Sequence, residues 1–191
     1  LTAGTYSYSL TSKDAAANSG TQSGYTVTVD NTVPTASDVQ TTNKTGNTAG
    51  KPELGDTIIL TFSEQIDPNS VLAGWSGAAT NVVVRITNGT TDALTVYNAT
   101  NTTQLPLGSV NLARSDYVTA NATFGASGTA SSMVQSAAAV TITLGTASSG
   151  TSTAGGSGSM VWSPSASAYD RAGNAMSTAT RTETGSNDKD F

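Results

Sequence analysis

The sequence predicts an all-β chain folded as a two-sheet antiparallel sandwich, and three observations lead there. Alternating runs rich in Thr, Val, Ile and Tyr recur along its length, and such side chains suit a half-buried pleated surface. Clusters of Gly, Asn, Asp and Ser separate these runs and supply turns. No stretch sustains three turns of helical periodicity, so no helical crossover is available to join parallel strands.

Thr5 to Leu10 and Tyr25 to Val29 alternate with period two, and Asp14 to Gly20 supplies the turn between them, which predicts a hairpin over 5–12 and 21–30. A lone hairpin is marginal in water, so this one is expected to be completed by another polypeptide segment. Asn31-Thr32-Val33-Pro34-Thr35 reads as a short, stiff junction, because Pro34 fixes its own backbone and biases Val33 to extended geometry. Ser37 to Thr41 is a candidate strand, and Asp56 to Ser63 is the clearest one, with Ile58, Leu60 and Phe62 on one face. Val82 to Thr87 and Ala93 to Tyr97 are joined by Asn88 to Asp92, where Asn88-Gly89 signals a hairpin by accepting positive φ. Further strands are expected near Leu107 to Leu112, Tyr117 to Phe124, Ala139 to Leu144 and Ser159 to Trp162. Ser132 to Ala139 is the one stretch that suits a short helix. Thr146 to Ser159, all small and polar, predicts a mobile loop with nothing to bury.

Two segments repeat one another: Lys13-Asp14-Ala15-Ala16-Ala17-Asn18 and Tyr169-Asp170-Arg171-Ala172-Gly173-Asn174. Each sets an Asn four positions after an Asp, and each leads to a second polar cluster, Asp30-Asn31 or Asn187-Asp188. A repeated ending implies more than one domain. Residues 1–31 are therefore expected to be the closing hairpin of an incomplete preceding unit, and 32–191 a complete, enlarged unit of the same kind.

Composition narrows function. The 191 residues are 36% hydrophobic and 11% charged, with a net charge of −5 and no basic run, so a nucleic-acid partner is not expected. Histidine and cysteine are absent, which removes imidazole and thiol catalysis and thiolate metal sites. No apolar run approaches the roughly 20 residues of a membrane-spanning helix. Low charge with abundant Thr, Ser, Asn and Gly fits an extracellular, cell-surface or secreted protein, and the first residues, lacking a signal-peptide pattern, read as a piece of a longer precursor.

These segments resemble bacterial immunoglobulin-like repeat domains of surface adhesins and S-layer proteins. Gly4-Thr5-Tyr6 through Asp14 to Asn18 and on to Val27-Thr28-Val29-Asp30-Asn31-Thr32-Val33-Pro34 looks like the last two strands and exit linker of such a repeat. Gly55 to Asp67 is similar to its second strand, and Asp170 to Asn174 to its final turn. Asn98 to Ser157 has no counterpart there. The resemblance implies an immunoglobulin-like β-sandwich in tandem units, with neighbouring immunoglobulin-like domains as partners and cell-surface glycans as candidate ligands.

In an immunoglobulin-like topology the linker, the turn after the second strand and the turn before the last strand meet at one end. That would gather Asp30, Asn31, Glu64, Asp67, Asp170 and Asn174, a donor set suited to calcium, which takes roughly six to eight oxygen ligands. The alternative is that Asp170 and Asn174 simply close a tight turn through backbone hydrogen bonds. Asp188-Lys189-Asp190 would be the equivalent donor to a following unit. Trp75 suggests either a sugar-stacking platform or a loop aromatic folded over the sandwich edge; Trp162 reads as core. Glu64 with Asp67 suits a solvated turn better than an acid–base pair, and Lys13 and Lys51 are weak isopeptide candidates. Gly46 to Lys51 lacks the spacing of a phosphate loop, and the Asn-x-Thr tripeptides are at the level of chance in so Asn- and Thr-rich a chain. The function expected is structural and not enzymatic: a segment of an extracellular tandem-repeat surface or fibre protein such as an adhesin stalk, S-layer or filament subunit, with joints stiffened by calcium. A carbohydrate-binding or spacer module of a secreted enzyme is the alternative, and would need an exposed aromatic strip.

Overall fold

The structure, a computed structural model, describes all 191 residues and divides into two compact units, Leu1–Thr32 and Val33–Phe191. The first unit is a two-stranded antiparallel sheet of β1 (Gly4–Lys13) and β2 (Ser19–Val29). Tyr6 pairs with Val27 and Tyr8 with Tyr25, so the larger side chains share one face with Leu10. The Tyr8 and Tyr25 rings stack with centroids 5.3 Å apart. The opposite face is hydroxylic, with Thr5 bonded to Thr28 and Thr11 to Thr21 through their side chains. With no second layer in this unit, Tyr8, Leu10, Tyr25 and Val27 stay exposed.

The second unit contains β3 (Ala36–Thr42), β4 (Thr57–Phe62), α1 (Pro68–Val71), β5 (Thr80–Thr87), β6 (Ala93–Asn98), β7 (Ser109–Asn111), β8 (Ala122–Phe124), β9 (Ser131–Ser136), β10 (Ala139–Thr143), β11 (Val161–Ser163) and β12 (Arg181–Thr182). They form one ten-stranded antiparallel sheet in the order β12-β11-β7-β6-β5-β9-β10-β4-β3, with β8 added to β5. The sheet folds over until its edge strands nearly meet. Thr184, just past β12, donates its amide to Asp38 Oδ1 and its hydroxyl to Oδ2, while Gln40 donates to the Thr184 carbonyl. A nearly closed β-sandwich or barrel results.

Period-two alternation fills its interior. Ile58, Leu60 and Phe62 on β4, Val140 and Ile142 on β10, Leu94 and Val96 on β6, and Val39 on β3 all point inward and are buried. Trp162 on β11 is fully buried, meets Phe62 edge-on at 5.0 Å and donates its indole N–H to the Leu107 carbonyl. Trp162 is core, as its strand position implied.

Four local expectations are corrected. Ser132 to Ala139 is not helical: Ser131–Ser136 is β9, which buries Met133 and pairs with β5 and β10, so sheet pairing overrides the helix propensity of the alanines. Ala137 and Ala138 instead form the two-residue turn into β10, Ala137 at φ 48°. The Asn88 to Asp92 connection is a five-residue loop in which neither Asn88 nor Gly89 has positive φ; Asp92 Oδ1 accepts the Gly89 amide and shapes it. Tyr117 to Phe124 is a strand only over β8, because the Tyr117 and Val118 amides are turned onto the buried Asp92 carboxylate. Thr146 to Ser159 is a fastened strap, with Ala147 bridged to Phe124, Thr151 to Val118, and Ala154 buried. The single short helix, α1, is capped by Asp67 and begins at Pro68; no helix is long and apolar enough to cross a membrane.

Both tryptophans lie in the second unit, so their fluorescence reports its unfolding alone. Ile142→Ala should lower its stability in urea by about 2–5 kcal/mol, as removal of a buried branched side chain does. Ser136→Ala, at an exposed strand end, should change it by less than about 0.5 kcal/mol.

Candidate functional site

The turn that ends the repeated motif is defined atom by atom. Asp170 Oδ1 accepts the Ala172 and Asn174 amides at 2.8 and 2.9 Å, Oδ2 accepts Asn174 Nδ2 at 2.8 Å, and the Asp170 amide donates to the Asn174 carbonyl. Gly173, at φ 90°, completes the turn by donating to the Asp170 carbonyl. Burial of Asp170 opposes its ionisation, but the Asn174 side chain and the surrounding amides outweigh it and hold the carboxyl below the usual range. Glu64 to Asp67 lies alongside: Ile66 bridges Asp170, and the Asp67 amide donates to the Tyr169 carbonyl at 2.8 Å. Asp67 also accepts the Asn69 amide as the cap of α1. Within the second unit the structure thus brings together the segments holding Glu64, Asp67, Asp170 and Asn174. Asp30 and Asn31 end the first unit, where Asp30 Oδ1 accepts the Thr32 amide and Asn31 donates to the Leu1 carbonyl.

A second acidic group lies within the second unit, and sequence reasoning did not assemble it. One oxygen each from Glu183, Asp188 and Asp190 lie within 4.8 Å of one another. Asp190 is fully buried and turned inward, which departs from its expected role as donor to a following unit. Its Oδ2 accepts the Tyr117 hydroxyl at 3.0 Å, its Oδ1 accepts Thr41 Oγ1, and its amide donates back to the Tyr117 oxygen. Tyr117 is held by edge contact with Phe191. Glu183 is half-buried beside β12, its amide donating to the Met160 carbonyl, with Oε1 enclosed and unbonded. The Asp188-Lys189-Asp190 run was legible, but nothing local in the sequence says that Glu183 joins it.

Burial first, and then the Asp190, Asp188 and Asp38 charges, push the Glu183 carboxyl up to about 7. Burial pushes Asp190 up to about 6, against the Tyr117 and Thr41 bonds that favour its charged form. Burial raises the Tyr117 hydroxyl as well. Such a group of oxygens suits a hard cation, since a divalent ion would offset the crowded charge.

No comparable chemistry lines the open cleft of about 420 Å³ between Ser70, Gln104, Leu105, Pro106, Gly108, Ser165 and Ser167, which offers hydroxyls, an amide and backbone. Trp75 is folded in, 7% exposed, with its indole N–H on the Ala78 carbonyl, so it is not a sugar platform. Lys51 pairs with Glu53 at 2.9 Å.

The raised carboxyls fix a pH dependence. A folded state whose Glu183 and Asp190 hold protons more tightly than the unfolded chain binds more protons between about pH 4 and 7, so their contribution fades as pH rises through that window. Asp38, Glu53, Asp116 and Asp170 are lowered and act oppositely, losing their contribution as pH falls below the ordinary carboxylate range. Metal-free protein should therefore have its highest melting temperature near pH 4–5 and a lower one at pH 7.5. Glu183→Gln should flatten the fall between pH 5 and 7.5, read by thermal melts across pH; an unchanged fall would remove Glu183 as its source.

Comparison with protein-family models, curated proteins and solved structures finds no match to this chain.

Proposed function

We propose that the chain is a structural segment of an extracellular tandem-repeat surface or fibre protein, built from immunoglobulin-like β-sandwich units with calcium stiffening the joints. The observation that carries this reading is the repeated turn. Asp14 accepts the Ala16 and Asn18 amides on Oδ1 and Asn18 Nδ2 on Oδ2, donates its own amide to the Asn18 carbonyl, and takes the Ala17 amide on its carbonyl. All five bonds recur around Asp170. Ala17, at φ 68°, even takes the left-handed place of Gly173. A surface of hydroxyls and amides with few charges, on a chain without histidine or cysteine, supports a scaffold role over a catalytic one.

Calcium enters the reading through donor chemistry. Asp30 and Asn31 stand just before the Val33-Pro34 junction, and the second unit supplies Glu64, Asp67, Asp170 and Asn174 on adjoining segments. An ion bound only by the ordered joint would stabilise it by about 2.7 kcal/mol when free calcium is a hundredfold above the dissociation constant.

A second reading, glycan binding, draws on the exposed Tyr8–Tyr25 stack of the hairpin, which is an aromatic surface of the kind sugars stack on.

The test of the structural reading is small-angle scattering of one, two and three copies of residues 1–191 joined in series, so that every copy carries Asp30 and Asn31, with millimolar calcium and with chelator. Maximum dimension should rise in proportion to copy number with calcium and fall short of that with chelator. Glu64→Gln with Asp67→Asn, which removes charge but keeps hydrogen-bonding shape, should reproduce the chelated profile in calcium. Compact multimers would overturn the scaffold reading; equal lengths in both buffers, with no calcium uptake in calorimetry, would overturn the joint ion alone.

A further inference from the structure

We propose that Asn88 is a modification site: its side-chain amide is lost spontaneously in the folded protein, and the carboxylate left behind loosens residues 117–121 from the β5–β6 connection. The inference lies outside the scaffold reading and holds whether or not units join in series.

Asn88-Gly89 is the one place in the chain where Asn precedes Gly. That pair is suited to ring closure, because a glycine has no Cβ to obstruct the approach of its nitrogen to the asparagine side chain. Both residues are exposed, so water reaches the site. The Asn88 side chain is held by one hydrogen bond, from Nδ2 to the Val118 carbonyl at 2.8 Å, and a single bond at an exposed residue opens readily. The Gly89 N–H points at Asp92 Oδ1, 3.3 Å from its nitrogen, a carboxylate oxygen able to accept the proton that the attacking nitrogen must lose. In the reaction the Gly89 nitrogen bonds to Asn88 Cγ and gives up that proton. The Cγ–Nδ2 bond then breaks with its electron pair on nitrogen, which takes up a proton and departs as ammonia. Water adds to either carbonyl of the resulting cyclic imide and cleaves its C–N bond, leaving aspartate or isoaspartate. The net change is amide plus water to carboxylic acid plus ammonia.

What Asn88 holds decides the consequence. Val118, itself buried, is gripped at both backbone groups by this one connection: its amide donates to Asp92 Oδ2 at 3.1 Å, and its carbonyl accepts Asn88 Nδ2. The Tyr117 amide also donates to Asp92 Oδ2, and the Asn88 amide donates to Asn121 Oδ1. A carboxylate at position 88 is acceptor-only and would face the Val118 carbonyl, another acceptor, with no proton between them. It also sets a second negative charge in the same connection as buried Asp92. The Val118 carbonyl loses that donor, and this connection then grips Val118 through Asp92 alone. Val118 is in turn bridged to Thr151, while the Thr119 amide donates to the Gly150 carbonyl and the Ser152 amide to that of Tyr117. The loosening therefore reaches the strap over 146–159.

The experiment ages the folded 1–191 chain in mildly alkaline buffer beside the same chain unfolded in urea. Peptide mapping by mass spectrometry follows each Asn, and isoaspartyl methyltransferase probes for isoaspartate. In the folded chain the peptide holding Asn88 should gain about one dalton, at least tenfold faster than any other Asn-containing peptide. Asn88→Gln, whose longer side chain closes the ring far more slowly, should keep its mass. Backbone hydrogen exchange then reads the consequence. In the aged fraction, and equally in Asn88→Asp, the Tyr117, Val118 and Thr119 amides should exchange at least tenfold faster than in fresh protein, with β4 unchanged. An Asn88 that keeps its amide in the folded chain overturns the proposal, and conversion in urea alone would show that the fold protects the site. Faster conversion at another Asn of the folded chain overturns it too, as does a converted Asn88 with unchanged exchange at Tyr117 and Val118.

Discussion

Buried aspartates that collect backbone amides are the constraint on which the rest of the second unit depends. Asp92 takes the Gly89, Tyr117 and Val118 amides on its two oxygens, while its own carbonyl receives the Leu112 amide and its amide donates to Arg114. Asp56 takes the Lys44 and Glu53 amides and the Asn47 side chain. Both are fully buried. Long connections between short strands leave many N–H groups without a ladder partner, and each would be costly to enclose unpaired. One carboxylate accepting three donors answers that cost and pins two or three loop segments at one point. The two ion pairs, Lys51–Glu53 and Arg114–Asp116, join near neighbours in sequence at partly exposed positions, and pairs of that kind add little.

What the sequence made legible follows from this division. Strands that bury one face by simple alternation, such as Thr57–Phe62 and Ala139–Thr143, are visible because pattern and burial coincide. Segments shaped by a distant carboxylate are not. Tyr117 and Val118 read as strand because their side chains are large and apolar, yet their amides are committed to Asp92, some 25 residues away. Ala154 looks like filler in a Gly/Ser tract, but its amide reaches the Gly50 carbonyl and its methyl is enclosed. The Asp170 turn was legible since all its donors are local. The association of Glu183 with Asp190 was not, because it depends on Tyr117 and Thr41 drawing Asp190 inward.

The same contrast separates two uses of carboxylate in this fold. Asp14 and Asp170 each accept two amides and an Asn side chain, bonds that favour the ionised form, and both are held below the usual range. Asp14 is exposed and Asp170 is buried, yet the hydrogen bonds of the two turns match. The turn is therefore locally determined. Asp190 instead meets two hydroxyls in a site that adds Glu183 and Asp188, and there burial and like charge dominate over hydrogen bonding.

A turn that forms from its own residues, whatever surrounds it, gives a hairpin register before it has a partner. Asp14 to Asn18 sets Lys13 opposite Ser19, and Tyr169 is likewise bridged to Ala175 across Asp170 to Asn174. From that fixed point, alternation alone determines which side chains point toward a sandwich and which toward solvent. The slip between Tyr8 and Leu10, accommodated in β2 where Gly24 has φ 91°, keeps Tyr25 and Val27 on the side of Tyr6 and Tyr8. The apolar face of the hairpin is thus specified by the hairpin itself. Order within the hairpin comes from its own turn and strand pairing, unlike that of a strand placed by core packing alone.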